Sequence, residues 1–106
     1  MRAATPYPPV GKTAEVNFDG TVFELHFRDN WIMSFEGTSG VFRGVKDTVE
    51  CTAVEVSRNI FMVYWHEPKV GSNVVHIQNW NTGTVYTNIS AKDNSFTHLK
   101  GVIRIK

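Results

Sequence analysis

The stretch that decides the fold is Ile60-Phe-Met-Val-Tyr-Trp-His-Glu-Pro-Lys-Val-Gly-Ser-Asn-Val-Val-His-Ile77. Its first eight residues are typical of a β-strand that is apolar on both faces and ends in a carboxylate. Successive side chains of a strand point to opposite sides, so the strand has two distinct faces. Both faces of this strand are apolar. One is expected to line an interior, and the other requires cover from a flanking segment or a second subunit. The face that we expect to line an interior consists of Phe61, Val63, Trp65 and Glu67.

Further strand patterns recur at short intervals along the whole chain, and helical spacing is nowhere sustained. The first two strands flank Asp19-Gly20, a pair that suits the positive φ angles of a type I′ turn and therefore predicts a hairpin. A glycine-rich connection at residues 37–46 is the longest break, and it is either a lid or a corner between strands. The predicted strands are residues 13–18, 21–28, 31–36, 48–56, 60–67, 73–80, 84–90 and 96–105.

Eight strands joined mostly by tight turns predict an all-β fold, an eight-stranded antiparallel up-and-down barrel. Closure into a barrel removes the exposed edges of an open sheet, and a barrel of this size holds one small ligand. An open sandwich of two sheets is the alternative. We expect residues 13–106 to form this single β-barrel domain. Residues 1–12, with prolines at 6, 8 and 9, are expected to form an extended arm that either plugs one end or frays.

Composition narrows the range of partners and locations. The formal net charge is +1, from 11 basic and 10 acidic residues spread along the chain, which gives no footprint for nucleic acid or an anionic membrane. No apolar run has the length of a signal peptide or a membrane span, so we expect a cytoplasmic protein with no membrane partner. The expected partners are a small aromatic or apolar molecule and a second copy of the chain in a homodimer. Cys51 is the single cysteine, so an internal disulfide is excluded.

The histidines raise the question of a metal, because imidazole is a ligand of zinc, copper and iron. They stand at positions 26, 66, 76 and 98, and no two lie one strand repeat apart. We therefore expect no metal and no other cofactor. His76 remains a candidate for ligand binding, since it shares a face with Gln78 and Trp80. The sequence leaves open whether His76 or Ile77 points inward.

The segment Trp65-His66-Glu67-Pro68, with Gly71 and Val74 after it and an apolar strand before it, resembles the Trp-x-Glu-Pro segment of bacterial phenolic acid decarboxylases. The resemblance covers residues 16–90. It extends to the wider lipocalin-like, or calycin, group, which includes the domain of molybdenum cofactor biosynthesis protein F and its small MoaF-like relatives. It implies a lipocalin-like barrel that works without a cofactor.

The same resemblance implies roles for individual positions. The catalytic glutamate of the decarboxylases corresponds to Glu67, and their catalytic arginine corresponds to Arg43. Their two substrate-binding tyrosines correspond to Val16 and Phe18, so both hydroxyl groups are missing from this chain.

The chemistry of Glu67 also follows from its own surroundings. A carboxylate that faces an interior beside Trp65 is desolvated, which raises its pKa and suits it to act as a general acid or base or to bind a donor group. Alternatively, Glu67 lies exposed at the rim or pairs with a basic residue. The residues expected to bind a ligand, chosen from the inward aromatic series and from His76, are Phe23, Trp31, Phe61, Trp65 and His76.

Three functions fit these observations. The first is a small-molecule-binding domain of calycin type with an aromatic-lined cavity and an interior glutamate. The second is a cofactor-free lyase or isomerase for a phenolic or other aromatic carboxylic acid, in which Glu67 is the acid/base and Arg43 holds the anionic group. The third is an assembly module whose outward apolar strands dock protein.

Overall fold

The computed structural model describes residues 7–29 and 31–106. Eight antiparallel strands form a closed barrel in which each strand pairs with the next and the last pairs with the first. The predicted all-β, up-and-down barrel is confirmed, and the two-sheet sandwich is wrong. No helix long and apolar enough to span a membrane occurs among the described residues. The strands are β1 (Thr13–Phe18), β2 (Thr21–Phe27), β3 (Ile32–Ser39), β4 (Lys46–Ser57), β5 (Ile60–Glu67), β6 (Ser72–Asn79), β7 (Thr84–Ser90) and β8 (Phe96–Ile105).

The first hairpin has the turn that its sequence predicts. Asp19 and Gly20 have φ angles of 55° and 97°, both positive as a type I′ turn requires. The Asn17 side chain accepts a hydrogen bond of 2.8 Å from the Gly20 backbone N–H. The turn therefore fixes the register of β1 against β2, with Phe18 opposite Thr21.

The glycine-rich connection is shorter than the sequence predicts, because β3 continues to Ser39 and β4 already begins at Lys46. The Gly37 N–H donates to the Val45 carbonyl over 2.7 Å, and the Gly44 N–H donates to the Gly37 carbonyl over 2.9 Å. A Cβ atom at Gly37 would lie 1.9 Å from the Phe42 carbonyl oxygen. Only glycine fits there, and the loop of residues 40–45 folds closely onto β3.

The inward faces of β5 and β6 are now defined. Phe61, Val63 and Trp65 are buried, as the alternation in β5 predicts. On β6 the buried side includes His76 and Gln78, while Ile77 lies on the outer side. The outer face of β5 is only partly covered by the residues that the structure describes, since Tyr64 is 38% exposed. Cover by a second subunit, and with it the homodimer, stays a prediction.

The barrel has two different ends. One end, which we call the arm end, carries the β2–β3, β4–β5 and β6–β7 turns together with residues 7–12. Tyr7 is 2% exposed there, and its ring centroid lies 5.0 Å from those of both Phe27 and Phe61. The Gly11 N–H donates to the Phe27 carbonyl over 2.7 Å, which ties this segment to β2. The described part of the arm thus fills this end, whereas residues 1–6 lie outside the described residues.

The other end, which we call the cavity end, carries the β1–β2, β3–β4, β5–β6 and β7–β8 turns. Between the two ends the core is continuous, and Cys51 on β4 is almost completely buried within it. A buried thiol in this position packs as a small apolar group.

Candidate functional site

A partly enclosed cavity of about 370 Å³ lies at the cavity end of the barrel. Its volume falls in the range of about 300–1,000 Å³ that is usual for small-molecule sites. Most of its wall is apolar, and Val16 and Phe18, the positions that correspond to the decarboxylase tyrosines, belong to that wall. The polar residues of the lining are Thr21, Glu67, Ser72, His76, Thr87 and Thr97.

Glu67 lies half-buried at the end of β5, where its carboxylate reaches the cavity. Positions 65 and 67 share one side of the strand, and the Trp65 indole N–H donates to Glu67 Oε2 over 2.8 Å. Burial raises the pKa of Glu67, and the Trp65 hydrogen bond opposes that increase. The site therefore keeps a carboxyl group whose proton is held more tightly than usual beside an indole ring.

Asp47, near the start of β4, is a second carboxylate close enough to act on Glu67, since its negative charge further raises the pKa of Glu67. Its Oδ1 accepts a hydrogen bond of 2.8 Å from the Thr48 N–H and lies 3.8 Å from Lys69 Nζ. Its Oδ2 is buried without a hydrogen-bond partner among the described residues. Sequence reasoning missed Asp47, although it has the inward parity of Val49.

His76 on β6 is the most deeply buried ionisable group of the cavity lining, with 4% of its surface exposed. Burial lowers its pKa from 6.5 to about 3, so the ring is neutral at physiological pH. Its ring centroid lies 4.8 Å from that of Trp65 in an edge-to-face contact. Its Nδ1 lies 3.1 Å from Gln78 Nε2, and the Tyr7 hydroxyl in turn donates to Gln78 Oε1.

Phe23 forms part of the wall through a ring cluster at the cavity end. Its centroid lies 6.2 Å from that of Phe35 and 5.6 Å from that of Phe42. Phe42 comes from the loop of residues 40–45, so this loop supplies one side of the cavity. Whether the loop moves as a lid stays a prediction.

Three predicted site residues lie outside the cavity lining. Phe61 points inward as expected, but it lies near the start of β5 and packs against Tyr7 at the arm end. Trp31 stands in the β2–β3 turn at the same end and is 42% exposed. Arg43 is exposed in the β3–β4 loop, while its neighbour Phe42 contributes to the cavity wall. The structure thus brings together Phe23, Trp65, Glu67 and His76, but not these three residues.

The histidines do not converge on one point within residues 7–29 and 31–106. No group of three or more histidine, cysteine, aspartate or glutamate side chains there could hold a metal ion. His26 lies 2.8 Å from the Thr13 hydroxyl, and His66 lies 2.8 Å from Asn73 Oδ1, both on the exposed surface.

The fold and the cavity define a lipocalin-like barrel of the calycin type. Residues 10–104 match the MoaF-like family, and the chain belongs to that family. Among solved structures it is similar to a crystal structure of a protein from Burkholderia vietnamiensis that is provisionally described as a beta-lactamase. The two chains are 32% identical with a TM-score of 0.87, and the match covers 96% of this chain and 100% of the other. No curated protein matches.

Proposed function

We propose that this protein binds a small aromatic or apolar molecule in the cavity end of its barrel. The observation that carries the proposal is a mostly apolar cavity of about 370 Å³ into which only a few polar side chains reach. Burying a flat apolar ligand there gains hydrophobic free energy, and the few polar groups fix its orientation.

The cavity walls favour a flat ligand. The Trp65 and Phe23 rings line the cavity from two different strands, and aromatic rings contact planar molecules in stacked or edge-to-face arrangements. The half-buried Glu67 supplies one orienting group at the mouth, and the buried His76 supplies another farther inside.

The direct test records ¹H–¹⁵N spectra during titration with small aromatic compounds, both carboxylic acids and their uncharged analogues. Shifts concentrated at the cavity end, around Val74, His76 and Thr87, are expected. Val74→Phe fills the cavity and should abolish these shifts. Val75→Phe adds the same ring on the outer face of β6 and should leave them unchanged. If no compound shifts the cavity residues, or if the two variants bind alike, the proposal is wrong.

The alternative function is a cofactor-free lyase or isomerase that uses Glu67 as its acid/base. The specific observation in its favour is the raised pKa of Glu67 through burial, which brings the group closer to the working range of a general acid. Two features weigh against decarboxylation of the phenolic acid type. Arg43 lies outside the cavity lining, and Val16 and Phe18 carry no hydroxyl groups.

Turnover assays separate the two functions. Wild type, Glu67→Gln and the exposed control Glu36→Gln would be incubated with phenolic acids and, because of the Burkholderia protein's description, with a chromogenic cephalosporin. An enzyme that uses Glu67 loses its rate in Glu67→Gln only. Equal rates in all three proteins leave no role for Glu67 in turnover, and no turnover by wild type contradicts the enzyme function for these substrates.

A further inference from the structure

A chain of buried polar groups crosses the barrel interior from the arm end to the cavity. The Tyr7 hydroxyl donates to Gln78 Oε1, and Gln78 Nε2 lies 3.1 Å from Nδ1 of His76. Gln78 is completely buried, and His76 is the member of the chain that lines the cavity. A buried network of this kind is stable only when its donors and acceptors match along its whole length.

The donor-to-acceptor direction of these hydrogen bonds determines the tautomer of His76. An amide nitrogen can only donate, so Nδ1 of His76 must accept from Gln78 Nε2. The single proton of the neutral ring is then on Nε2. The amide itself is oriented by Tyr7, because a phenol hydroxyl is a much better donor than acceptor and therefore favours the carbonyl oxygen of Gln78.

The charge of the cavity restricts the ligand further. No lysine or arginine belongs to the cavity lining in the described part of the chain, and Glu67 is its one acidic residue. Moving an anion into such a wall would cost its hydration without a compensating cation. An uncharged acceptor avoids that cost and still accepts from an N–H donor.

We propose that Tyr7 and Gln78 hold His76 as the Nε2–H tautomer, and that His76 donates a hydrogen bond to an uncharged carbonyl oxygen of an aromatic ligand. This inference rests on the proposed binding function for its ligand and on the hydrogen-bond chain alone for its tautomer. Tyr7 and Gln78 are positioning residues, since they act on the ligand only through His76.

The first test needs no ligand. Long-range ¹H–¹⁵N spectra of the free protein distinguish a protonated from an unprotonated imidazole nitrogen. We expect an unprotonated Nδ1 and a protonated Nε2 for His76. A proton on Nδ1 would overturn the inference even if aromatic compounds bind, so its failure is separate from that of the proposed function.

The second test compares three ligands of nearly one shape, namely cinnamamide, cinnamate and trans-β-methylstyrene. Cinnamamide offers an uncharged acceptor, cinnamate offers a charged one, and the hydrocarbon offers none. We expect cinnamamide to bind roughly fivefold more tightly than the hydrocarbon, as one net hydrogen bond allows. It should also bind more tightly than cinnamate. Equal or tighter binding of cinnamate contradicts the inference.

The third test removes the orienting hydroxyl with Tyr7→Phe, which keeps the ring that fills the arm end. Gln78 is then free to turn its amide, so the Nε2–H tautomer of His76 should lose population and the preference for cinnamamide over the hydrocarbon should shrink. Tyr86→Phe, an exposed tyrosine on β7, is the matched control and should change neither reading. Gln78→Met repeats the test without altering Tyr7. If both variants keep the wild-type tautomer, the positioning role is disproved.

Discussion

The arm end and the cavity end of the barrel are made by the same eight strands, yet within the described residues aromatic rings pack together at one end and a cavity lies at the other. At the arm end the inward rings of Phe27 and Phe61 meet Tyr7, which the N-terminal segment brings in from outside the sheet. At the cavity end the inward positions include the small side chains of Ser72 and Val74, while the Phe23 and Trp65 rings line the cavity. An eight-stranded barrel is only just wide enough to be filled by its own side chains.

The two ends therefore differ in the placement of their aromatic rings and in the segment of residues 7–12 that packs at the arm end. Large inward rings plus one inserted tyrosine fill the arm end. The smaller inward residues beside the cavity are Ser72, Val74 and Thr87, and Glu67 and His76 reach it as ionisable groups. The two ends are therefore expected to differ in their stability towards loss of an aromatic ring and in their response to pH.

The largest difference should appear in core truncation. Phe61→Ala removes a fully buried ring at the arm end and should lower the free energy of unfolding by about 3–5 kcal/mol. Phe23→Ala removes a half-buried ring beside an existing cavity and should cost about 1–2 kcal/mol. Urea denaturation of both variants measures the difference. Equal losses would mean that the two ends are packed alike.

The second difference concerns the loss of stability at acid pH. Burial lowers the pKa of His76 to about 3, against 6.5 for the unfolded chain. The unfolded state therefore binds a proton between these values while the folded state does not, and stability is lost as the pH falls below 6.5. The slope from this group reaches about 1.4 kcal/mol per pH unit.

Urea unfolding at several pH values between 7 and 4 measures that slope. His76→Gln should flatten the curve in this window, whereas the exposed control His98→Gln should keep the wild-type slope. An unchanged slope in His76→Gln would show that the cavity end does not hold a buried neutral imidazole.

The smallest effect concerns Glu67. Its pKa is raised whereas that of His76 is lowered, so the stability due to Glu67 changes with pH in the opposite direction. The folded state holds the proton more tightly than the unfolded chain, so the stability due to this group is present below the ordinary glutamate pKa. It is lost as the pH rises through the raised pKa of the folded state. Glu67→Gln should therefore be slightly more stable than wild type at neutral pH. Thermal unfolding at pH 7 measures this, and a lower melting temperature than that of Glu36→Gln would contradict it.

Much of the barrel could be predicted from local signals. The Asp19-Gly20 pair carries its turn type in its own backbone preferences, and the alternation in β5 identifies which residues point inward. The β3–β4 loop was harder to predict. Its close packing depends on the absence of a side chain at Gly37, which matters only once Phe42 lies against it.

For the candidate site, the sequence predicted which residues point inward but not how deep in the barrel each of them lies. Alternation gives the side of a strand on which a residue lies, but its depth in the barrel depends on strand stagger, a property of the closed sheet. Trp65 and Phe61 share a face of β5 at opposite ends, so one lines the cavity and the other packs at the arm end. Tyr7 gave no usable signal, because its contact with Gln78 joins residues far apart in sequence.

The buried thiol of Cys51 makes transient opening of the barrel measurable. Its thiol is buried within β4, so a thiol-reactive dye reaches it only during those moments when the sheet parts. The labelling rate then counts opening events in the intact molecule. A ligand bound at the cavity end would stabilise the closed barrel and slow the labelling as its occupancy rises. The native Cys51 thiol would then report on binding without any engineered label.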